Sequence, residues 1–327
     1  MPTEAIRECF ERAAKVLVAS HVDPDGDAIG SQLAVAQYLR DQGKTVVLVR
    51  DGEIPNKYRF LDGADDITPI EDVEDGIDVD TAVILECPTL ERIGRACEHL
   101  AEGIAIINID HHRDNDSFGA INWLNIEASS VGEMVTEYFL AVDYPISQPV
   151  AEQLYTAIMT DTGRFRFSST TRRAMQVAGM LIERGANPQK ICDLVYYDCR
   201  PEKLKLVGRV LNSVRFYRDR EICVLTMTNA MLAETDAEKS ESEGVVDYTL
   251  FSRGVIVGVF LKESSPKETK ASLRSKNGIN VAEIASRFGG GGHFNAAGCT
   301  LPFGLEKAKD ELIQLINAAL DSQENAN

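Results

Sequence analysis

The sequence predicts an α/β N-terminal domain, a mostly parallel sheet with helices on both faces, followed by a smaller α+β domain. Three observations carry this prediction. Four short, strongly apolar runs lie within the first 110 residues, separated by segments long enough for helical crossovers, and strands this apolar are buried on both faces. Polar residues with ligand chemistry recur at the ends of those runs, the edge where open α/β sheets collect their ligands. Past about residue 205 the order changes to paired strands with helices grouped apart.

The elements follow in order. Residues 16–20 form a run rich in β-branched side chains that ends at a turn. Residues 27–41 space Ile29, Leu33, Ala36 and Leu39 as a helix does, and Gly43 stops it. Residues 45–50, 81–86 and 104–110 are the next three strands. Helical patterns cover 130–141, 150–159 and 171–184, and Gly185-Ala186-Asn187-Pro188 ends the last of them. The first domain is expected over residues 1–190, a linker over 191–205 and the second domain over 206–327. In the second domain, 213–218 and 221–228 read as a hairpin through Asp219-Arg220. Strands follow at 254–261 and 270–274, and helices at 244–251, 281–288 and 304–322. The acidic stretch 234–243 reads as a solvated loop and helix start. The tail 322–327 is polar.

Composition excludes some functions. The 327 residues include 34 Lys+Arg and 51 Asp+Glu, a formal net charge of −17. Binding to duplex DNA requires cations that replace phosphate counterions, so no duplex DNA partner is expected. The opening residues lack a basic segment followed by an apolar run, and no apolar stretch approaches the roughly 18–20 residues of a membrane helix. Seven cysteines are scattered without Cys-x-x-Cys spacing. These features lead to the expectation of a cytoplasmic protein with reduced thiols and no membrane partner.

Four of the five histidines sit in short clusters of ligand type. His21, Asp25 and Asp27 converge across the Pro24–Gly26 turn after the first strand. An imidazole with several carboxylates suits Mn²⁺, and less well Mg²⁺ or Zn²⁺. An Asp-Gly turn with Asp27 as helix cap is the plain structural alternative. Glu86 ends the third strand, Asp110-His111-His112 the fourth, and Asp161 closes a helical pattern. His21, Asp25, Asp27, Glu86, His111 and Asp161 thus supply six ligands, enough for two cations bridged by a carboxylate. Two such ions lower the pKa of a shared water and clamp an in-line phosphoryl displacement.

Asp110-His111-His112, with His21-x-x-x-Asp25-x-Asp27 upstream and Asp161 downstream, resembles the DHH phosphoesterase superfamily. The run Gly289-Gly290-Gly291-Gly292-His293-Phe294-Asn295-Ala296-Ala297-Gly298 resembles the glycine-rich signature of the DHH-associated C-terminal domain, and Ala271-Ser272-Leu273-Arg274-Ser275-Lys276 its substrate-side strand. The resemblance spans about residues 10 to 303 and is greatest to the nanoRNase group. It implies two Mn²⁺ ions, replaceable by Mg²⁺ or another divalent cation, with His21 and Asp25 on one and Asp27, His111 and Asp161 on the other. It implies that His112 lies beside the metals and helps hold the phosphate, while Asp110 orients a neighbouring imidazole. Arg274, Ser275, Gly290, Gly291, Gly292 and His293 would bind substrate from the second domain, with the active site in the cleft between domains. The implied reaction is hydrolysis of short oligoribonucleotides to mononucleotides, and of 3′-phosphoadenosine 5′-phosphate (pAp) to AMP. The implied partners are short RNA, pAp or dinucleotides; the sequence leaves the oligomeric state open, a homodimer being one assembly it allows.

One position departs from the family pattern, which has Asp where this chain has Glu86. The extra methylene moves the carboxylate by about 1.5 Å, beyond the ~0.5 Å tolerance of a preorganised site. A non-catalytic nucleotide-binding homologue is therefore one alternative reading; a cyclic-dinucleotide (c-di-AMP/pApA) phosphodiesterase, which could use the same residues, is the other. Lesser candidates are Arg166, in a stretch (163–170) whose alternation also fits an edge strand, and Ser130 with Glu133, spaced as a capping box. Trp123, Tyr196 and Tyr197 read as packing residues. Arg274 and Lys276, with Lys270 nearby, concentrate positive charge beside the glycine run, so the acidic remainder limits substrate length.

Overall fold

A computed structural model describes residues 2–73, 79–276 and 278–324. The chain divides into two compact units, Met1–Asp198 and Cys199–Asn327.

In the first unit, α1 (Thr3–Arg12) precedes β1 (Lys15–Ala19), α2 (Gly26–Asp41), β2 (Thr45–Arg50), the two-residue β3 (Thr68–Pro69), β4 (Thr81–Leu85), β5 (Ala105–Asp110) and β6 (Ile121–Leu124). Helices α3 (Val131–Ala141), α4 (Gln148–Asp161), α5 (Arg172–Glu183) and α6 (Pro188–Cys192) follow. The strands are all parallel, in the order β3-β2-β1-β4-β5-β6. The order reverses between β1 and β4, so a crevice opens at their carboxyl ends. Alternation along the strands divides the core. Val16, Val18, Val83, Leu85, Ile107 and Ile109 pack with residues of α1–α6. Leu17, Ala19, Ala82 and Ile84 pack with Ile93 and Ala96 of the 3₁₀ turns Leu90–His99, so that face is covered by tight turns rather than long helices.

Several expectations change in detail. The alternation at 163–170 forms no strand, because Gly163, Arg164 and Phe165 all take left-handed backbone (φ 57°, 63°, 60°) and turn the chain. Arg166 lies over Phe167, and Arg164 over Tyr196. Trp123 is buried, whereas Tyr197 is exposed. The sequence reading had no place for α1 or the short β6, whose apolar residues are too few to stand out. Residues 191–205 hold the end of α6, a π-helical turn Asp193–Tyr197 and the start of α7 (Pro201–Leu211).

The second unit continues with β7 (Arg215–Tyr217), β8 (Ile222–Met227), α8 (Asn229–Thr235), β9 (Val257–Ser265), β10 (Glu268–Ser275), α9 (Val281–Ser286), β11 (Gly291–His293), β12 (Ala296–Leu301) and α10 (Leu305–Glu324). Its sheet runs β11-β12-β10-β9-β8-β7, with β8 and β9 parallel and the other pairs antiparallel. The hairpin expected at Asp219-Arg220 is β7–β8. The acidic stretch 234–243 ends α8 at Thr235 and continues as a 3₁₀ turn Lys239–Ser242. Ala271, Leu273, Ala297 and Cys299 face α9 and α10. On the opposite face, Leu206, Val210, Leu232 and Val246 cover only the β8–β9 half, around Leu225 and Phe260. Ala296, Gly298 and Thr300 of β12 alternate with buried neighbours and are more open. The polar tail from 322 is helical to 324, and residues 325–327 lie outside the described residues. Among the described residues no helix is long and apolar enough to cross a membrane.

Candidate active site

The crevice between β1 and β4 is where the ligand-type residues gather. Glu86 follows β4 with a left-handed backbone (φ 60°), uncommon for a residue with a Cβ and frequent at functional sites. Its N–H donates to the Ile109 carbonyl at 3.1 Å. The side chain is buried among three imidazoles: Oε1 lies 3.2 Å from His111 Nε2 and 3.7 Å from His112 Nδ1, and Oε2 4.0 Å from His21 Nε2. The longer side chain at this position is therefore accommodated inside the cluster.

Each imidazole is anchored through Nδ1. His21 Nδ1–H donates to the Val22 carbonyl at 2.8 Å, His111 to the Ala128 carbonyl at 3.3 Å, and His112 to Asp110 Oδ1 at 2.8 Å. This anchoring leaves Nε2 of each ring to serve as the ligand or donor. Asp110 also accepts from the His111 N–H at 2.8 Å and from Asn115 Nδ2 at 2.6 Å.

Asp27, in the first turn of α2, is fully buried and receives the Val131 N–H at 2.7 Å, the Gly132 N–H at 2.8 Å and the Ser31 hydroxyl at 3.0 Å. The first turn of α3 thus holds this carboxylate, as a helix N-terminus favours. Ser130 caps α3 by accepting the Glu133 N–H at 3.0 Å. The Glu133 carboxylate reaches back one residue further than a capping box requires, to the Ser129 N–H and hydroxyl. Asp161 ends α4, where the helix dipole disfavours a negative charge, and lies 3.5 Å from His111 Nε2.

Electrostatics follow from this crowding. Burial, then the charge of Glu86, pushes the Asp27 carboxyl up to about 7. Asp161 is raised by burial, against the pull of His111. Burial alone would raise Glu86, but the His112 charge and the His111 hydrogen bond hold it low. Burial works against protonation of His112, yet Glu86 and Asp110 raise it to about 9. His111 is raised in the same way by its hydrogen bond to Glu86 and the charge of Asp161.

Among the described residues, two groups have ligand atoms close enough to hold a cation: Asp27–His111–Asp161 and Glu86–His111–His112. Their environment fits divalent ions. Glu86 Oε2 is buried with no hydrogen-bond donor, His21 and His111 present Nε2, and two carboxylates repel one another where a cation would offset them. Not every expected ligand joins. Asp25, not Asp27, caps α2, accepting the Asp27 and Ala28 N–H groups at 3.0 and 3.1 Å. It is solvent-exposed and in neither group. Among the described residues, His21 approaches the cluster through Glu86 alone.

Asn115 escaped the sequence reading. Its Nδ2 reaches the Cys87 carbonyl at 3.0 Å, Asn108 Oδ1 at 2.8 Å and Asp110 Oδ2 at 2.6 Å. It ties the segment after Glu86 to Asp110. Only its place four residues beyond His111 could have signalled it.

In the second unit, Arg274, Ala296 and His293 are cross-strand partners on β10, β12 and β11, so their side chains share one face. Arg274 Nε donates to Asp247 Oδ1 at 3.2 Å. Ser275 faces the other way; its hydroxyl donates to the Ile279 carbonyl at 2.6 Å and supports the hairpin from behind. Lys276 donates to the Leu250 carbonyl. The glycine run is an ordered edge hairpin. A Cβ at Gly290 would lie 2.2 Å from the Gly298 carbonyl, one at Gly292 2.5 Å from the Ala296 carbonyl, and one at Gly291 would meet nothing.

A parallel sheet with carboxylates and imidazoles at its switch point, and a second sheet carrying the glycine hairpin, define a hydrolase of phosphoester bonds. The DHH family N-terminal domain matches residues 15–158 and the DHHA1 domain residues 220–322. The bifunctional oligoribonuclease and PAP phosphatase NrnA of Thermus thermophilus is 31% identical, over 93% of this chain and 90% of that one. The Bacillus subtilis protein of that name is 26% identical over 92% of this chain and 93% of its own. The crystal structure of an exopolyphosphatase-related protein from Bacteroides fragilis superposes with a TM-score of 0.91 at 30% identity, covering 99% of this chain and 96% of the other. The chain belongs to the DHH family.

Proposed function

We propose that this chain is a divalent-metal-dependent phosphoesterase that degrades RNA of a few nucleotides to mononucleotides and converts pAp to AMP. The observation that carries this reading is the Glu86 carboxylate set among three anchored imidazoles, with Asp27 and Asp161 beside His111. The full-length similarity to two proteins named for both activities points the same way. Asp27, His111 and Asp161 would hold one Mn²⁺, and His21 and Asp25 with Glu86 the other. Mg²⁺ or another divalent ion can substitute. When bound, these cations supply Lewis-acid charge to the water and to the phosphoryl oxygens.

The remaining chemistry belongs to side chains. His112, its Nδ1–H held by Asp110, has Nε2 left to donate to a phosphate oxygen when the ring is protonated, the state that Glu86 and Asp110 favour. Asp110 fixes its tautomer, and Asn115 fixes Asp110. Arg274, steadied by Asp247, offers a planar fork to a terminal phosphate. His293 would grip the same phosphate from two strands away, about 10 Å between Cα positions. Between them Ala296 and the neighbouring glycines form a low floor that lets the phosphate approach the backbone.

The test is a Mn²⁺ activity panel over pAp, pApA, longer RNA, cyclic diadenylate and pyrophosphate. Turnover of pAp and pApA, abolished by chelation, is expected. Turnover confined to cyclic diadenylate, or tight pAp binding without turnover, would refute the reading.

A further inference from the structure

The turn after Asp161 fixes an aromatic ring in the open. Gly163, Arg164 and Phe165 take left-handed backbone in succession, and such conformations in residues with a Cβ cluster at ligand sites. Thr162, fully buried, holds the turn. Its carbonyl accepts the Arg166 and Phe167 N–H groups at 3.0 and 2.9 Å, and its hydroxyl accepts the Phe165 N–H at 3.1 Å. Phe165 turns inward and meets Tyr155, whereas Phe167 stays 41% exposed. The Phe167 ring is nonetheless seated. A Cβ at Gly163 would fall 2.5 Å from its Cε2 and Cζ, so the ring rests on the backbone two residues past Asp161. The Arg166 guanidinium lies 5.2 Å from the ring centroid, within cation–π range. Arg164 is engaged elsewhere, over Tyr196.

We infer that Phe167, with Arg166 beside it, is a stacking platform for a nucleobase of the substrate. The inference rests on the function proposed above and adds to it what makes the site prefer nucleotides to other phosphate compounds. Two residues span at most about 7 Å of chain, and Asp161 stands with Asp27 and His111 in one of the cation groups. A nucleotide whose phosphate meets that group therefore has its base within reach of the ring. An aromatic face stacks on any base, so the platform registers that a base is present and not which one, as degradation of RNA of any sequence requires. The guanidinium adds attraction for the π face of the base and for a neighbouring phosphate. Leucine at position 167 fills the space against Gly163 but offers no flat face, so packing and stacking separate at this residue.

The experiment compares the Mn²⁺-loaded full chain on pAp and on 1-deoxyribose 3,5-bisphosphate, the same bisphosphate with hydrogen in place of adenine. The parent should prefer pAp in kcat/KM. In Phe167→Leu that preference should fall about tenfold, or about 1.4 kcal/mol, within the range for one stacked base. The change should sit in KM, because stacking holds the ground state and the transition state alike. An aromatic variant, Phe167→Tyr or Phe167→Trp, should restore the preference. A parent without preference, a preference that survives in Phe167→Leu, or failure of both aromatic variants to restore it would overturn the platform. A purely structural role would lower turnover of both compounds and leave their ratio alone, which overturns it equally. Isothermal titration of the same two compounds separates the platform from the function beneath it. A parent that binds pAp with this dependence on Phe167 but hydrolyses neither compound leaves the platform standing and removes the proposed function. A parent that hydrolyses pAp and RNA while Phe167→Leu keeps the full preference removes the platform alone.

Discussion

Replacing Gly30 with alanine tests whether helix contact sets the site. Gly30 lies in α2, which carries Asp27, and α2 packs on α4, which ends at Asp161. A Cβ at position 30 would fall 2.3 Å from the Gln153 backbone carbonyl oxygen, against an ordinary contact of at least 3.4 Å. The helices must part by about 1 Å, because a helical carbonyl cannot swing away as a side-chain tip can. Alanine gains ~1 kcal/mol of helix propensity over glycine, while overpacking of this kind costs ~1–3 kcal/mol. With backbone as the obstacle, the upper end applies, and the net loss is about 1–2 kcal/mol. In a unit of this size that lowers Tm by about 2–8 °C. The larger effect is on catalysis. Separating Asp27 from Asp161 by about 1 Å exceeds the ~0.5 Å tolerance of a preorganised site, and a misplacement of that size costs about 100-fold in rate. The control is Gly179→Ala in α5, where a Cβ meets nothing within 4 Å. That variant should gain ~0.5–1 kcal/mol and keep full turnover. Differential scanning fluorimetry and steady-state pAp hydrolysis read both. Parental Tm and turnover in Gly30→Ala, or equal damage in Gly179→Ala, would refute the reasoning.

Other outcomes follow from the same geometry. Glu86→Ala should lower the Mn²⁺ bound at equilibrium dialysis and cut turnover at least 100-fold, and unchanged stoichiometry would show that Glu86 is not a ligand. Asn115→Leu leaves Asp110 without its amide donor; the loss of about 1–3 kcal/mol of a charged hydrogen bond should appear in kcat as about a tenfold drop with KM nearly constant. Stability without metal should fall as pH rises from 6 to 8.5. Asp27, raised to about 7, stabilises fully only below the ordinary carboxyl range and loses this as pH passes its folded value; His112, raised to about 9, loses its share as pH approaches 9. A divalent cation replaces the departing protons, so its effect on Tm should grow with pH, and a flat Tm in chelator would contradict this.

Much of this protein was legible in one dimension because parallel strands are locally encoded. An apolar run buried on both faces looks the same wherever it sits in the sheet, which is why the main strands of the first unit fall where their composition places them. The clusters at 21–27, 86 and 110–112 were legible because a switch point draws on strand ends, and strand ends are visible as the places where apolar runs stop; Asp161 showed instead as the end of a helical pattern. Asn115 was not legible. An asparagine in a turn has the same local signature whether it caps, bends the chain or bridges two loops. The stretch 163–170 misled because period-two alternation costs nothing to write, while three left-handed residues in succession show only in the backbone.

The sequence by itself determined the fold class, through composition and periodicity, and offered the family through the resemblance of its motifs, together with a candidate set of cation ligands. The tertiary structure decided which of them meet. It made Asp25 a helix cap because the turn before α2 leaves two N–H groups to satisfy. It buried Asp27 against the first turn of α3, 104 residues away, where two amides were oriented to receive it. It turned Ser275 from Arg274 because neighbours on a strand face opposite ways, and it set the Phe167 ring against Gly163 through a left-handed turn that spacing alone does not reveal. Convergence depends on directions in space, and those exist only once the chain has packed.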